Sequence, residues 1–200
     1  PIQMYRNTGG KLEAWQSQGL EKSAGWWNSL KAGDFDGDGD IDFLAGNLGL
    51  NTNYRASSEY PLCLYAKDYD ANGSIDPVMC QFIKGVEYPI ASRDKLIKQL
   101  PYLESNFSNY RSYAMADFSQ VFDDKSLEEA QILRAYTLAS SYIENLGGGK
   151  FRLKPLARIL QTAPINDIWV EDIDKEGALD ALMVGNSYAT EVKTGRYDAF

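Results

Sequence analysis

The chain has 200 residues, 44% hydrophobic and 24% charged, with 28 acidic against 20 basic side chains and a formal net charge of −8. That length can bury a core, while the acidic balance argues against nucleic acid, whose phosphates call for a basic footprint. With no histidine anywhere, a Ser-His-Asp or Cys-His catalytic arrangement and a His-ligated zinc site are excluded within this chain, and no apolar stretch reaches the roughly 18 residues of a transmembrane helix.

In chain order, Tyr5-Arg6-Asn7 ahead of Gly9-Gly10-Lys11-Leu12 predicts a hairpin with a glycine turn. An acidic loop follows, with Asp34, Asp36, Asp38, Asp40 and Asp42 at alternate positions, and then the apolar run Ile41, Phe43, Leu44, Ala45, stopped by Gly46-Asn47. A second loop of the same spacing carries Asp68, Asp70, Asn72, Ser74 and Asp76 and leads into Val78 and Met79. Such short apolar runs bounded by turn residues read as buried strands. Cys63 and Cys80 flank this second loop; if the flanking strands pair, the thiols can face each other, and either a disulfide or two buried free thiols would satisfy the sequence.

The stretch from Tyr88 to Leu138 breaks the pattern and predicts helices: Arg93 to Leu100, with Pro101 at a boundary, then Tyr110 to Phe122, then Ser126 to Arg134. In the last of these, Leu127, Ala130, Leu133 and Leu138 suit an amphipathic helix, with Ser126 as N-cap and Glu129 at the capping-box position. The chain then returns to the first pattern. Ile143-Glu144-Asn145 precedes Gly147-Gly148-Gly149-Lys150-Phe151, and a third loop carries Asp172, Asp174, Glu176, Ala178 and Asp180 before Ala181, Leu182, Met183 and Val184. Asn7 lies 27 positions before Asp34, and Asn145 lies 27 before Asp172, so a unit of hairpin, linker, acidic loop and strand recurs. The expected division is 1–87, 88–138 for the helical insertion, and 139–200.

The loops have the chemistry of calcium sites. Oxygen ligands at positions 1, 3 and 5, a glycine at 6, a main-chain carbonyl at 7 (Asp40, Ser74, Ala178) and a carboxylate at 9 can surround Ca²⁺, which takes roughly 6 to 8 oxygens. An EF-hand would close with Glu at position 12, where this chain has Ala45, Met79 and Met183. Loop one has the most carboxylates and is expected to bind best. Loop two substitutes Asn72, and in loop three Glu176 is one methylene longer than aspartate. Twelve of the 28 acidic residues lie in the loops, so three bound Ca²⁺ would bring the formal charge from −8 to −2. Gly147 to Lys150 lacks the spacing of a phosphate loop. Asn72-Gly73-Ser74 and Asn106-Phe107-Ser108 match the glycosylation sequon, although Asn72 is claimed as a ligand.

Loop, strand and repeat spacing together resemble the FG-GAP or VCBS repeats of β-propellers, including integrin α-subunit propellers. Tyr88 to Asp94, Tyr110 to Ala114 and Gly195 to Ala199 resemble a bacterial, commonly surface-located subgroup of VCBS-repeat proteins. The resemblance implies a mainly β fold, a partial β-propeller of about three blades with an α-helical insertion. It also implies Ca²⁺ at the three loops, no catalytic residues, and a place at the cell surface or outside the cell, serving adhesion to a protein or glycan. The alternative is an accessory or scaffold region of a secreted carbohydrate-active or other hydrolytic enzyme. Three blades fall below the roughly 4 to 8 of a closed propeller, so a piece of a longer ring, with edges open to pairing between copies, is expected. Trp26-Trp27, Tyr102, Phe107, Tyr110 and Tyr113 are candidate contact aromatics, with core packing as the other reading.

Overall fold

The computed structural model describes residues 1–188 and the strand at 197–198. The Gly195–Ala199 motif lies outside the described residues apart from that strand. The chain is mainly β, with every strand pair between named strands antiparallel. It forms two compact units, Pro1–Asn53 with Thr137–Phe200, and Tyr54–Tyr136.

The first unit opens with the hairpin β1 (Met4–Thr8) and β2 (Lys11–Trp15), whose turn places Gly9 and Gly10 at positive φ. β3 (Ser29–Gly33) and β4 (Asp42–Gly46) form the next hairpin, with the first acidic loop as its turn. After the second unit's residues, β9 (Ser141–Asn145) and β10 (Phe151–Pro155) form the second glycine hairpin. β11 (Asp167–Glu171) and β12 (Asp180–Val184) carry the third acidic loop. A four-stranded sheet runs β10-β9-β4-β3. The acidic-loop hairpin of one repeat therefore shares a sheet with the glycine hairpin of the next, half a repeat out of phase with the sequence unit. Two clusters bury its apolar side chains, one around Leu20, Ala45, Ile143 and Phe151 and the other around Leu44, Ile165 and Ile168.

In the second unit, β5 (Leu62–Lys67) and β6 (Asp76–Ile83) enclose the second acidic loop, and the sheet order is β7-β6-β5-β8. β7 (Val86–Pro89) follows a two-residue turn in which Lys84 and Gly85 both have positive φ, the geometry whose twist suits a tight hairpin. Tyr88, the expected start of the insertion, is thus a strand residue. α1 (Arg93–Gln99), α2 (Leu103–Asn106), α3 (Tyr110–Met115) and α4 (Phe118–Val121) supply Leu96, Leu100, Leu103, Phe107, Phe118, Val121 and Phe122 to a core completed by Cys63, Tyr65, Val78 and Cys80. Pro101 stands between α1 and α2. The break between α3 and α4 is set by Asp117, which caps α4 by accepting from Gln120 N while the Gln120 side chain accepts from Asp117 N.

The helix expected from Ser126 to Arg134 does not form. Asp123, not Ser126, is the N-cap of α5 (Asp124–Leu127), and Glu129 turns left-handed at φ 63°. The chain then enters β8 (Gln131–Ala135), which pairs with β5 through Ile132↔Tyr65 and Leu133↔Leu64. The open edge of β5 offers a ladder of backbone bonds, and β-branched Ile132 fits it better than a helix.

Candidate metal centres

All three acidic loops are the turns of β-hairpins, and position 9 of each is the first residue of the outgoing strand. One hydrogen-bond scheme recurs. The position 9 carboxylate accepts from the amide of position 2: Phe35 N to Asp42 at 3.3 Å, Tyr69 N to Asp76 at 3.2 Å, Ile173 N to Asp180 at 2.9 Å. The position 1 carboxylate accepts from the position 6 glycine amide: Gly39 N to Asp34 at 3.0 Å, Gly73 N to Asp68 at 2.8 Å, Gly177 N to Asp172 at 3.0 Å. Its other oxygen takes Gly37 N, Asn72 N or Glu176 N. To curl the backbone so that these amides point inward, positions 4 and 6 are left-handed in every loop, at Gly37 and Gly39, Ala71 and Gly73, and Lys175 and Gly177.

The scheme clusters carboxylates. Oxygens of Asp34, Asp36 and Asp38 lie within 4.8 Å of one another, as do those of Asp68, Asp70 and Asp76, and those of Asp172, Asp174 and Asp180. Partial desolvation in the loop, followed by the charges of Asp38, Asp42 and Asp34, raises the Asp36 carboxyl above its ordinary value, although the amide of Asp38 opposes the shift. Four carboxylates in one turn repel one another, and a hard cation relieves that repulsion. Asn72 Oδ1 turns back on Ser74 N at 2.8 Å. Glu176 falls outside its loop's cluster; its amide instead donates to Asp172 and Asp174. The main-chain carbonyls at Asp40, Ser74 and Ala178 occupy position 7, where the chain turns toward the outgoing strand.

Loop one differs at position 9. Asp42 is 0% exposed, and its charge acts on Asp36 although the three clustered carboxylates are Asp34, Asp36 and Asp38. Besides the loop bond, it accepts from the Tyr142 hydroxyl at 2.5 Å and from Asn145 N at 2.7 Å, both from the neighbouring strand β9. Asn145 Nδ2 also donates to Ile41 O at 3.1 Å. The buried charge is thus met by three donors. Tyr142 was absent from the residues singled out in the sequence; only the β4–β9 pairing brings it to Asp42.

The aromatic candidates separate by unit. Trp27 packs into the first unit's core and its Nε1 donates to Ser23 O at 2.8 Å, whereas Trp26 is exposed. In the second unit Phe107 is buried and Tyr113 packs beside it, with its hydroxyl donating to Ala91 O. Tyr102 and Tyr110 are exposed, the latter under Arg93, whose guanidinium carbon lies 5.4 Å from the ring centroid. Cys63 and Cys80 stand directly opposite each other in the β5–β6 ladder, both buried and both free thiols.

Among the described residues no helix is long and apolar enough to cross a membrane. Comparison with curated proteins and with solved structures gives no match. Comparison with family models matches residues 1–45 to one described as FG-GAP-like repeat. The matched stretch spans the first glycine hairpin, the linker, the first acidic loop and most of the strand it opens, so the first of the units recognised by spacing is similar to an FG-GAP-like repeat.

Proposed function

We propose that this chain is a calcium-binding β-propeller repeat region of a secreted or surface-exposed bacterial protein, non-enzymatic, whose rigid blades present a binding surface for a protein or glycan partner in adhesion. The observation that carries this reading is the common scheme of the three loops, with three carboxylate oxygens within 4.8 Å in each and the same amides holding position 1 in place. The donor set suits calcium: it consists of oxygens only, on a backbone already curled around the cluster. Asp34, Asp36 and Asp38 would hold the ion in loop one, with Asp42 behind them. Asp68, Asp70 and Asp76, with Asn72, would hold it in loop two, and Asp172, Asp174 and Asp180 in loop three. The carbonyls of Asp40, Ser74 and Ala178 would add one oxygen each.

The ion's role in this reading is structural. It converts a self-repelling turn into a cross-link at the base of a hairpin, and each site that binds only the folded form adds about 1.4 kcal/mol when free calcium stands roughly tenfold above its Kd. Millimolar extracellular calcium fills sites with affinities of about 10⁻⁴ to 10⁻³ M, which fits a place outside the cell. Exposed Trp26 in the first unit, and Tyr102 and Tyr110 in the second, are the aromatic contacts a partner would find.

Calorimetric titration of chelator-treated protein with calcium, alongside thermal melting of wild type, Asp34→Ala and Asp172→Ala, tests the proposal. Saturable heat and a raised melting point, reduced in each variant, are expected. No heat and no shift at millimolar calcium would reduce the loops to acidic turns and remove the basis of the reading.

A further inference from the structure

Cys63 and Cys80 are the chain's two cysteines, and neither takes part in the acidic loops. They stand on β5 and β6, the strands that run into and out of the second acidic loop, and the register sets them directly opposite each other. Ile90 N donates to Met79 O, so Met79 turns its backbone groups toward β7, and the next residue, Cys80, turns its own toward β5. Pro89, opposite Cys80 on the β7 side, has no N–H to offer, and none is called for there. Cys63 and Cys80 are therefore a hydrogen-bonded pair, whose Cα atoms in an antiparallel ladder stand about 5.5 Å apart. Disulfides span roughly 4.4 to 6.8 Å between Cα atoms.

Opposed residues project to the same face of a sheet, and here it is the face that packs on the helices. Cys63 at 4% and Cys80 at 0% exposure belong to the cluster of Tyr65, Val78, Phe118 and Phe122. Neither sulfur is committed elsewhere. Cys63 Sγ donates to Pro61 O at 3.7 Å and Cys80 Sγ to Val78 O at 4.0 Å, both long, while Glu87 and Arg134, which also reach Cys63, act on its thiol in opposite directions. Among the described residues, the three clusters able to hold a metal contain no cysteine.

We propose that Cys63 and Cys80 close into a reversible disulfide across the β5–β6 ladder, a redox-dependent staple at the root of the hairpin that carries the second acidic loop. The oxidant is another disulfide, of a small molecule or a protein. One cysteine attacks it as thiolate, a mixed disulfide forms and one thiol leaves; the second cysteine then attacks the first cysteine's sulfur and the second thiol leaves. The chain gives up two protons and two electrons, and the oxidant takes them up. Reversibility follows from the register. Opposed Cβ atoms lie roughly 4.5–5.5 Å apart, the hydrogen-bonded pair at the wider end, whereas a disulfide draws them to about 3.8 Å. The bond closes against the ladder, and a bond closed in that way is the more easily reduced kind. Burial raises both thiols above their ordinary value and leaves little thiolate, so exchange proceeds when β5 and β6 part. Calcium takes no part, so a failed calcium titration leaves the staple standing.

The 200-residue chain, refolded from urea either with glutathione disulfide or with reduced glutathione, is equilibrated in buffers of graded glutathione ratio, with urea below the unfolding midpoint so that the strands can open. Free thiols are then trapped by alkylation in denaturant and the products read by mass spectrometry. The expected product in oxidising buffers is a monomer lighter by two hydrogens, with a peptide joining Cys63 to Cys80. Its fraction should rise with the share of glutathione disulfide and reach the same value from both starting states, and Cys63→Ala should form no bridge. Two free thiols in the most oxidising buffer, or disulfide-linked dimers as the main product, would overturn the proposal. A bridge that persists through the most reducing buffer would overturn its reversibility.

Discussion

Removing a single oxygen atom from Tyr142 tests whether the fold of the first unit depends on a buried charge. The Tyr142 hydroxyl donates to Asp42, whose carboxylate is fully buried and otherwise receives two backbone amides. Tyr142→Phe keeps the ring, which meets Phe35 edge-on with centroids 6.2 Å apart, so packing is preserved and one hydrogen bond to a charged acceptor is lost. Such bonds contribute about 1.5–3 kcal/mol; because Tyr142 is only part-buried and water can reach its position, about 2 kcal/mol is expected. Urea unfolding in chelator should show a lower midpoint with an unchanged slope. Asp42→Asn and the double variant complete a cycle in which the two substitutions should couple strongly. A loss below about 0.5 kcal/mol, the range of ordinary surface substitutions, or strict additivity with Asp42→Asn would refute the argument. The pH dependence has a definite sign. Burial first, then the bond to Asp42 and its charge, raise the Tyr142 phenol above its ordinary 10.0. Its contribution is therefore complete below that value and is lost as pH rises through the higher folded value, a loss that Tyr142→Phe should abolish.

Two further outcomes follow from the second unit. Phe122 is 1% exposed and its ring sits 5.0 Å from Tyr69 and 5.2 Å from Phe118, so Phe122→Ala should cost about 3–5 kcal/mol in the same unfolding assay; a loss under about 1 kcal/mol would mean the helices do not form the core described. Burial pushes the Cys63 thiol up to about 11 and the Cys80 thiol higher still, with the Glu87 charge adding to both. Under reducing conditions near pH ~8, where an ordinary thiol is already partly ionised, iodoacetamide should label neither cysteine in the folded chain and both in urea, as read by mass spectrometry. Rapid labelling of the folded chain would show that the β5–β6 ladder is open.

What could be read from the sequence was whatever is written in local chemistry. A glycine turn between alternating residues announces a hairpin, and both glycine hairpins form as expected, because Gly9 and Gly10, and Gly147 to Gly149, supply the positive φ the turns demand. The acidic loops were legible for the same reason: position 6 must be glycine and position 9 must lead into a strand, and all three do so. The failures are nonlocal. The pattern of Leu127, Ala130 and Leu133 suits a helix, yet Ile132 and Leu133 are claimed by an edge of β5 some 70 residues earlier in the chain, and no local signal records that edge. Tyr142 likewise reaches Asp42 from 100 positions away. The half-repeat phase of the sheet is hidden because the sequence repeats with the same period however the sheets are cut.

That phase also explains why site and fold are hard to separate here. Position 9 of each loop opens a strand, closes the loop through the position 2 amide and, in loops two and three, joins the carboxylate cluster. In loop one the third carboxylate of the cluster is Asp38 at position 5, a place that loop two fills with Asn72 and loop three with Glu176, and Asp42 is held by Phe35 N, the Tyr142 hydroxyl and Asn145 N. Position 9 of loop one therefore also ties the loop to the neighbouring strand, whereas Asp180 is bonded by Ile173 N within its own loop. Asp42→Asn should lower the urea midpoint in chelator further than Asp180→Asn does, because a buried acceptor with three donors loses more than one with a single loop bond; equal losses would show that the bonds from β9 add nothing to the stability of the first unit.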